Sequence, residues 1–164
     1  MLTHKITVSQ SGPYTGGGDL SQPVDSLSYQ WWTELADGTA AGQANARVTD
    51  RRTLAGSATE NLDLSGGLTD PFGAPLLFTA VKAIQVSAAA ANAGAITIGG
   101  AASNAFVGPF GASTHTLSVP PGATVLLVHP GAGWPVTAGT ADLLKVANGS
   151  ASASVYDVII VGVE

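Results

Sequence analysis

The chain has no cysteine. That excludes disulfides and thiolate metal ligation and leaves the redox compartment open. Charge is also scarce. Asp, Glu, Lys and Arg make up 10% of the 164 residues, against about one-quarter in an average soluble domain. The shortage is concentrated in one place. Between Lys82 and Asp142 none of the four occurs, so Ala83–Ala141, a run of 59 residues, has His115 and His129 as its only titratable side chains. Long apolar runs are missing too. Val125–Val128 and Val158–Val161 fall far short of the ~20 residues that a membrane-spanning helix requires. Met1-Leu-Thr-His-Lys-Ile lacks a secretory h-region and cleavage site, so the expectation is synthesis in a cytoplasm. A net charge of −5 argues against nucleic-acid binding, which needs clustered Lys and Arg. Arg51-Arg52 is the only basic pair, and it lies among Asp50 and Glu60.

What is present points to β structure. Hydrophobic residues are 45%, much of it Ala, with 21 Gly and only 6% aromatics. The core is therefore expected to be thin and built from Val, Ile and Leu. From Asp70-Pro-Phe-Gly73 onward, short β-type runs recur between Gly, Pro, Asn and Ser clusters: Leu76–Ser87, Ala95–Ile98, Thr116–Val119, Thr124–His129, Leu143–Ala147 and Ser154–Val163. Such spacing predicts an all-β fold, a two-sheet β-sandwich of jelly-roll-like form. Ser154–Val163 is apolar on both faces apart from Asp157, which predicts a central strand covered on both sides. Ala88–Ala91 is too short for a stable helix and reads as a loop or strand edge. Upstream, Ala46–Leu54 alternates loosely and Asn61–Leu64 more cleanly, while Ser28–Trp32 reads as a strand or a short helical turn. Leu2, His4, Ile6 and Val8 share one face of a further strand. Ser11-Gly-Pro13 and Gly16-Gly-Gly18 make residues 10–25 read as extended and mobile. The expected organisation is an extended N-terminal arm, 1–25, and one β-sandwich domain, 26–164.

Catalytic chemistry finds little purchase. The three histidines have no partner at a metal spacing, no Gly-x-Ser-x-Gly elbow occurs, and Gly16–Gly18 lacks the Lys-Ser/Thr ending of a phosphate loop. Asp19, Asp63 and Asp70 are the candidates for an irregular calcium site, without the Asp/Asn-rich loop that calcium usually requires. The expectation is no enzyme activity, no cofactor and no resident metal. Asn148-Gly-Ser150 matches a glycosylation sequon and reads as a chance match within a hairpin loop. The tryptophans are the best binding signal. Adjacent Trp31 and Trp32 on a strand point to opposite faces, so one is expected in the core and one exposed or at an interface. With Phe106, Phe110 and Trp134 they are the candidate interface residues.

A segment that avoids charge suits a symmetric assembly. Near a symmetry axis each charge meets its own copy and repels it, and burying it carries a desolvation penalty. Interface cores are depleted in Lys, Glu and Asp for related reasons.

Phe106-Val-Gly-Pro-Phe-Gly111, Leu117-Ser-Val-Pro-Pro-Gly-Ala123, Gly133-Trp-Pro-Val-Thr-Ala-Gly-Thr-Ala-Asp-Leu-Leu-Lys-Val-Ala-Asn148 and Ser154-Val-Tyr-Asp-Val-Ile-Ile-Val161 resemble small virion proteins of tailed bacteriophages. The resemblance covers about residues 60–164 and is one of word order, with no functional motif and no site residue carried over. It implies a capsid decoration (cement) protein, made in the host bacterial cytoplasm and placed on the outer head surface. Its implied partners are the major capsid protein and its own copies, a trimer among the options. The alternative is a receptor- or carbohydrate-binding module of a tail or fibre, using Trp31, Trp32 or Trp134.

Overall fold

Ser154–Val163 is the axle of the molecule. Its β-branched run forms a strand that hydrogen-bonds neighbours on both sides. A computed structural model describes all 164 residues, and every regular element in it is a strand. In chain order these are β1 (His4–Thr15), β2 (Val24–Asp37), β3 (Gln43–Ala44), β4 (Ala46–Leu54), β5 (Thr59–Asp63), β6 (Ser65–Thr69) and β7 (Pro75–Leu77). They continue with β8 (Ala80–Ala88), β9 (Ile96–Gly99), β10 (Thr116–Val119), β11 (Thr124–Val128), β12 (Trp134–Pro135), β13 (Leu143–Asn148) and β14 (Ser154–Val163).

Eight strands form two principal antiparallel sheets. One has the order β10-β9-β13-β5 and the other β11-β8-β14-β4, with β12 joining β8 beyond the end of β11. Period-two alternation sets the inner faces. In β13, Leu144, Val146 and Asn148 are buried while Leu143, Lys145 and Ala147 are half-exposed, as a one-sided strand requires. The inner residues of both sheets merge into one cluster of 22 buried side chains, among them Leu54, Leu62, Phe78, Ile84, Val86, Ile98, Leu144, Tyr156, Val158 and Ile160. Fully burying each large member contributes about 1.5–3 kcal/mol. β14 is central in its sheet, but it is covered on both sides only toward its C-terminal end. Val155, Asp157 and Ile159 stay half-exposed, whereas Ile160–Val163 are buried.

That second cover comes from the N-terminal segment. Ile6, Leu35 and Ala44 pack with Ala83 and Val161 in a separate small cluster. The same segment is paired along most of its length. Residues 10–25 are not a lone extended segment but the distal part of a hairpin. β1 and β2 pair antiparallel over twelve residue pairs, from His4↔Leu35 to Thr15↔Val24, with Gly12 inside β1 opposite Leu27 and Gly16–Gly18 in the connecting loop. The second strand of this β-hairpin ends at Asp37. Ser28–Trp32 is strand throughout, because the β-forming Tyr29, Trp31 and Trp32 meet Gln10, Val8 and Thr7 across the ribbon.

A buried amide locks the far end of the two sheets. Asn148 Nδ2 donates to the carbonyls of Ala55 (2.9 Å) and Ser152 (2.8 Å), and Oδ1 accepts from Ser150 N (2.9 Å) and Ser154 Oγ (3.0 Å). The side chain of the apparent sequon is thus consumed by the fold. Gly56 is tied to the same place, since a Cβ there would overlap the Ala151 carbonyl. Asn148→Ala leaves the buried Ser154 hydroxyl and the Ser150 amide without their acceptor, while the Ala55 and Ser152 carbonyls keep Ala58 N and Ser150 Oγ as donors. The expected loss is about 2–4 kcal/mol of stability, seen as a lower urea midpoint at unchanged slope.

Candidate functional site

The feature that the fold leaves unfinished is the hairpin. Twelve antiparallel pairs extend about 40 Å at ~3.4 Å per residue. Only the base rests on the body: Ile6 and Leu35 are buried, while every β1 residue from Ser9 onward and every β2 residue up to Trp32 is exposed. Residues paired across the ribbon share a face, which sorts the side chains into two sets. One face carries Lys5, Thr7, Ser9, Ser11, Glu34, Gln30, Ser28 and Trp32, mostly polar, with the Lys5 ammonium 5.0 Å from the Trp32 ring centroid. The other runs from Leu35 and Ile6 through Val8, Trp31, Tyr29 and Leu27 to Tyr14. It begins inside the hydrophobic cluster at the base and continues into solvent. Trp31 is 37% exposed, Tyr29 and Leu27 each 53%, and Tyr14 80%. A two-stranded ribbon is at best marginally stable by itself, and exposed aromatics in a row mark a contact surface.

The structure separates the five candidate interface residues. Trp31 and Trp32 occupy opposite faces of the ribbon, and both are exposed. The expectation that one of them enters the core is therefore overturned, since no body residue reaches that part of the arm. Phe106 is 2% exposed and belongs to the main core, which takes it out of reach of any partner. Phe110 and Trp134 are half-buried against the same core, with Trp134 edge-on to His129 at 5.6 Å. Leu27, Tyr29 and Tyr14 extend the Trp31 face beyond the candidates of the sequence, and Leu27, Tyr29, Trp31 and Leu35 follow the period-two signal.

Comparison with family models, curated proteins and solved structures finds no match. The surface must therefore be read from its own chemistry.

Charge is sorted as strictly as shape. Lys82 and Asp142, which border the uncharged run, are themselves buried at 2% and 6% exposure. Lys82 sits at a bulge, where Val161 faces Ala83 but Gly162 faces Val81. Its Nζ donates to the Gly131 carbonyl, and burial lowers its pKa. Asp142 Oδ2 accepts from Gly139 N, while its other carboxylate oxygen is buried without a partner. No charged side chain is therefore exposed anywhere from Pro71 to Leu144. That segment supplies β10 and β11, the end strands of the two sheets. The opposite ends, β4 and β5, carry Arg47, Asp50, Arg51, Arg52, Glu60 and Asp63. There Arg51 pairs with Asp157 at 2.6 Å, and Arg52 bridges Asp50 (2.7 Å) and Glu60 (2.6 Å).

No three His, Asp or Glu side chains gather where they can hold a metal ion. Asp63 and Asp70 accept hydrogen bonds from nearby backbone amides at Ser65, Phe72 and Ala74. A cleft of about 280 Å³ lies under the arm base, lined by His4, Ile6, Ala83, Leu126, Ile159 and Val161 among others. Burial and then the nearby Arg47 charge lower the His4 pKa, so the base of the arm favours neutral imidazole. No helix is long and apolar enough to cross a membrane.

Proposed function

We propose that the chain is a non-enzymatic structural subunit of a tailed-phage virion, a decoration protein that stabilises the head from its outer surface. The observation that carries this reading is the projecting β-ribbon, whose apolar face is continuous with the body's hydrophobic cluster and has no partner within the chain. In this role the arm lies on the major capsid protein, and copies of the chain also contact one another. Binding that exists only in the assembled lattice stabilises that lattice by mass action.

The two principal sheets are read here as the layers of a jelly-roll sandwich. Their orders support it: β10, β9, β13 and β5 match β11, β8, β14 and β4 position by position, each strand standing opposite its neighbour in sequence. Jelly rolls occur in viral capsid proteins and in lectins, so fold alone does not choose between a shell role and a sugar-binding one. The tryptophans favour the shell. A stacking platform needs convergent rings, but Trp31 and Trp32 diverge and Trp134 is packed on the core.

The test is co-sedimentation of the purified chain with shells built from the major capsid protein encoded nearest its gene. Saturable binding to mature shells, and a raised shell melting temperature, are expected. A chain that leaves both unchanged overturns the reading.

A further inference from the structure

Edge strands expose a row of unpaired backbone N–H and C=O groups, and proteins usually guard them with charge, proline or a bulge. The five-stranded sheet guards one edge and not the other. β4 carries Arg47, Asp50, Arg51 and Arg52. At the other edge β11, Thr-Val-Leu-Leu-Val, has no charge and no proline, hydrogen-bonds only to β8, and keeps Val125–Val128 half-exposed. Its neighbour on the same flank is equally bare. β10 ends the other sheet with Thr-Leu-Ser-Val and joins β11 through Pro120–Ala123 alone.

The charge pattern identifies what fits there. Each copy carries a net charge of −5, so two copies repel wherever their acidic residues approach. Pro71–Leu144 contributes no exposed charged side chain to this flank, and the charge that lines the cleft beside Leu126 is the basic Lys5 of the arm base, so repulsion between acidic groups is least here. A surface that faces its own copy across a two-fold axis brings each side chain near its own duplicate and has to avoid like charges, and interface cores are depleted in Lys, Glu and Asp. We propose that β11 pairs antiparallel with β11 of a second copy about a two-fold axis, which continues the five-stranded sheet across the interface. With the axis at Leu126, Thr124 faces Val128, Val125 faces Leu127, and Leu126 faces itself. Every cross-strand pair then has an apolar member and none brings charges together. The inference specifies the self-contact within the assembly reading above, and it assigns the arm and the β11 edge to different partners.

The absence of cysteine makes the test direct. Light scattering on the native chain at about 100 µM should give a dimer of two-fold type. Leu126→Cys, oxidised, should form an SDS-resistant dimer in high yield, while Arg51→Cys on the guarded edge should not. Leu126→Lys sets two ammonium groups on the axis and should give a monomer with an unchanged circular dichroism spectrum. If it fails to fold, crosslinking decides alone. A native monomer or trimer, or crosslinking through Arg51→Cys in preference to Leu126→Cys, overturns the inference. The shell reading is scored separately: a native dimer that ignores shells keeps this interface and sinks that role, and a shell-binding monomer does the reverse.

Discussion

Changing Tyr29 and Trp31 together to Ser should weaken binding to capsid shells by about 100-fold or more, with the melting temperature of the isolated chain almost unchanged. Both side chains lie on the apolar face of the ribbon and both are exposed, so their removal leaves no cavity in the body. Interface tryptophans and tyrosines that act as anchors each contribute about 2 kcal/mol or more when truncated. Two of them correspond to a factor of roughly a thousand, and 100-fold allows for non-additive effects. The control is the other face: Ser9→Ala with Gln30→Ala alters a cross-strand pair and should leave shell binding intact. Sedimentation isotherms read the affinities, and thermal unfolding followed by circular dichroism reads the body. Full binding by the Tyr29/Trp31 variant would remove the arm from the interface. Equal loss from both variants would show that the ribbon matters only as a spacer.

The face that this experiment targets was half-legible in the sequence. Adjacent tryptophans on a strand must diverge, and they do. Which face is covered is a matter of what stands opposite, and alternation carries no information about that. The same limit explains Phe106. A lone aromatic among Gly, Ala and Ser has no periodic context, and only the path of its loop across the core buries it. Strands were easy to recognise where turn formers bound them. Ser154–Val163 and Thr116–Val119 occupy the residues that their patterns marked, because Asn-Gly and Pro-Pro-Gly stop a strand locally. The hairpin was misread because Ser9–Tyr14 and Ser21–Ser28 are polar and rich in Gly, Pro and Ser. Their strand state comes from pairing with each other and from anchorage at Ile6 and Leu35. The uncharged run was visible at once, but its location on one flank depends on strand order, which is non-local. Lys82 and Asp142 looked like the charged limits of that run. They are not on the surface, because a glycine carbonyl and a glycine amide take up their polar ends inside the fold.

Removing the Glu60 carboxylate should be among the most damaging polar changes in the body. Glu60 collects three donors: Tyr156 Oη at 2.7 Å on one oxygen, and Arg52 Nε and Nη2 at 2.9 and 2.6 Å on the other. Tyr156 is fully buried beneath it, and Arg52 continues the chain to Asp50. Glu60→Ala strands the phenol and part of the guanidinium away from water. A fully buried pair broken this way loses about 3–5 kcal/mol. Because Glu60 and Arg52 are partly exposed, about 2–3 kcal/mol is expected here. Tyr156→Phe removes only one donor and should lose about 1 kcal/mol, and the double-mutant cycle should show coupling between the two sites. The acid limb gives an independent check. Burial pushes the Glu60 pKa up, but the hydrogen bonds from Arg52 and Tyr156 outweigh it and hold the carboxyl below its ordinary value of 4.5. The folded state therefore binds this proton less readily than the unfolded state does. The ionised form contributes stability above about pH 4.5, and that contribution is lost as pH falls through the lowered value. Asp157, whose pKa is lowered chiefly by its hydrogen bond from Arg51, contributes with the same sign. Urea midpoints measured from pH 7 to 3 should thus fall less steeply for Glu60→Gln than for the native chain, with Asp157→Asn showing a smaller change of the same sign. An unchanged slope in Glu60→Gln would mean that the buried tyrosine and its arginine are satisfied by water instead.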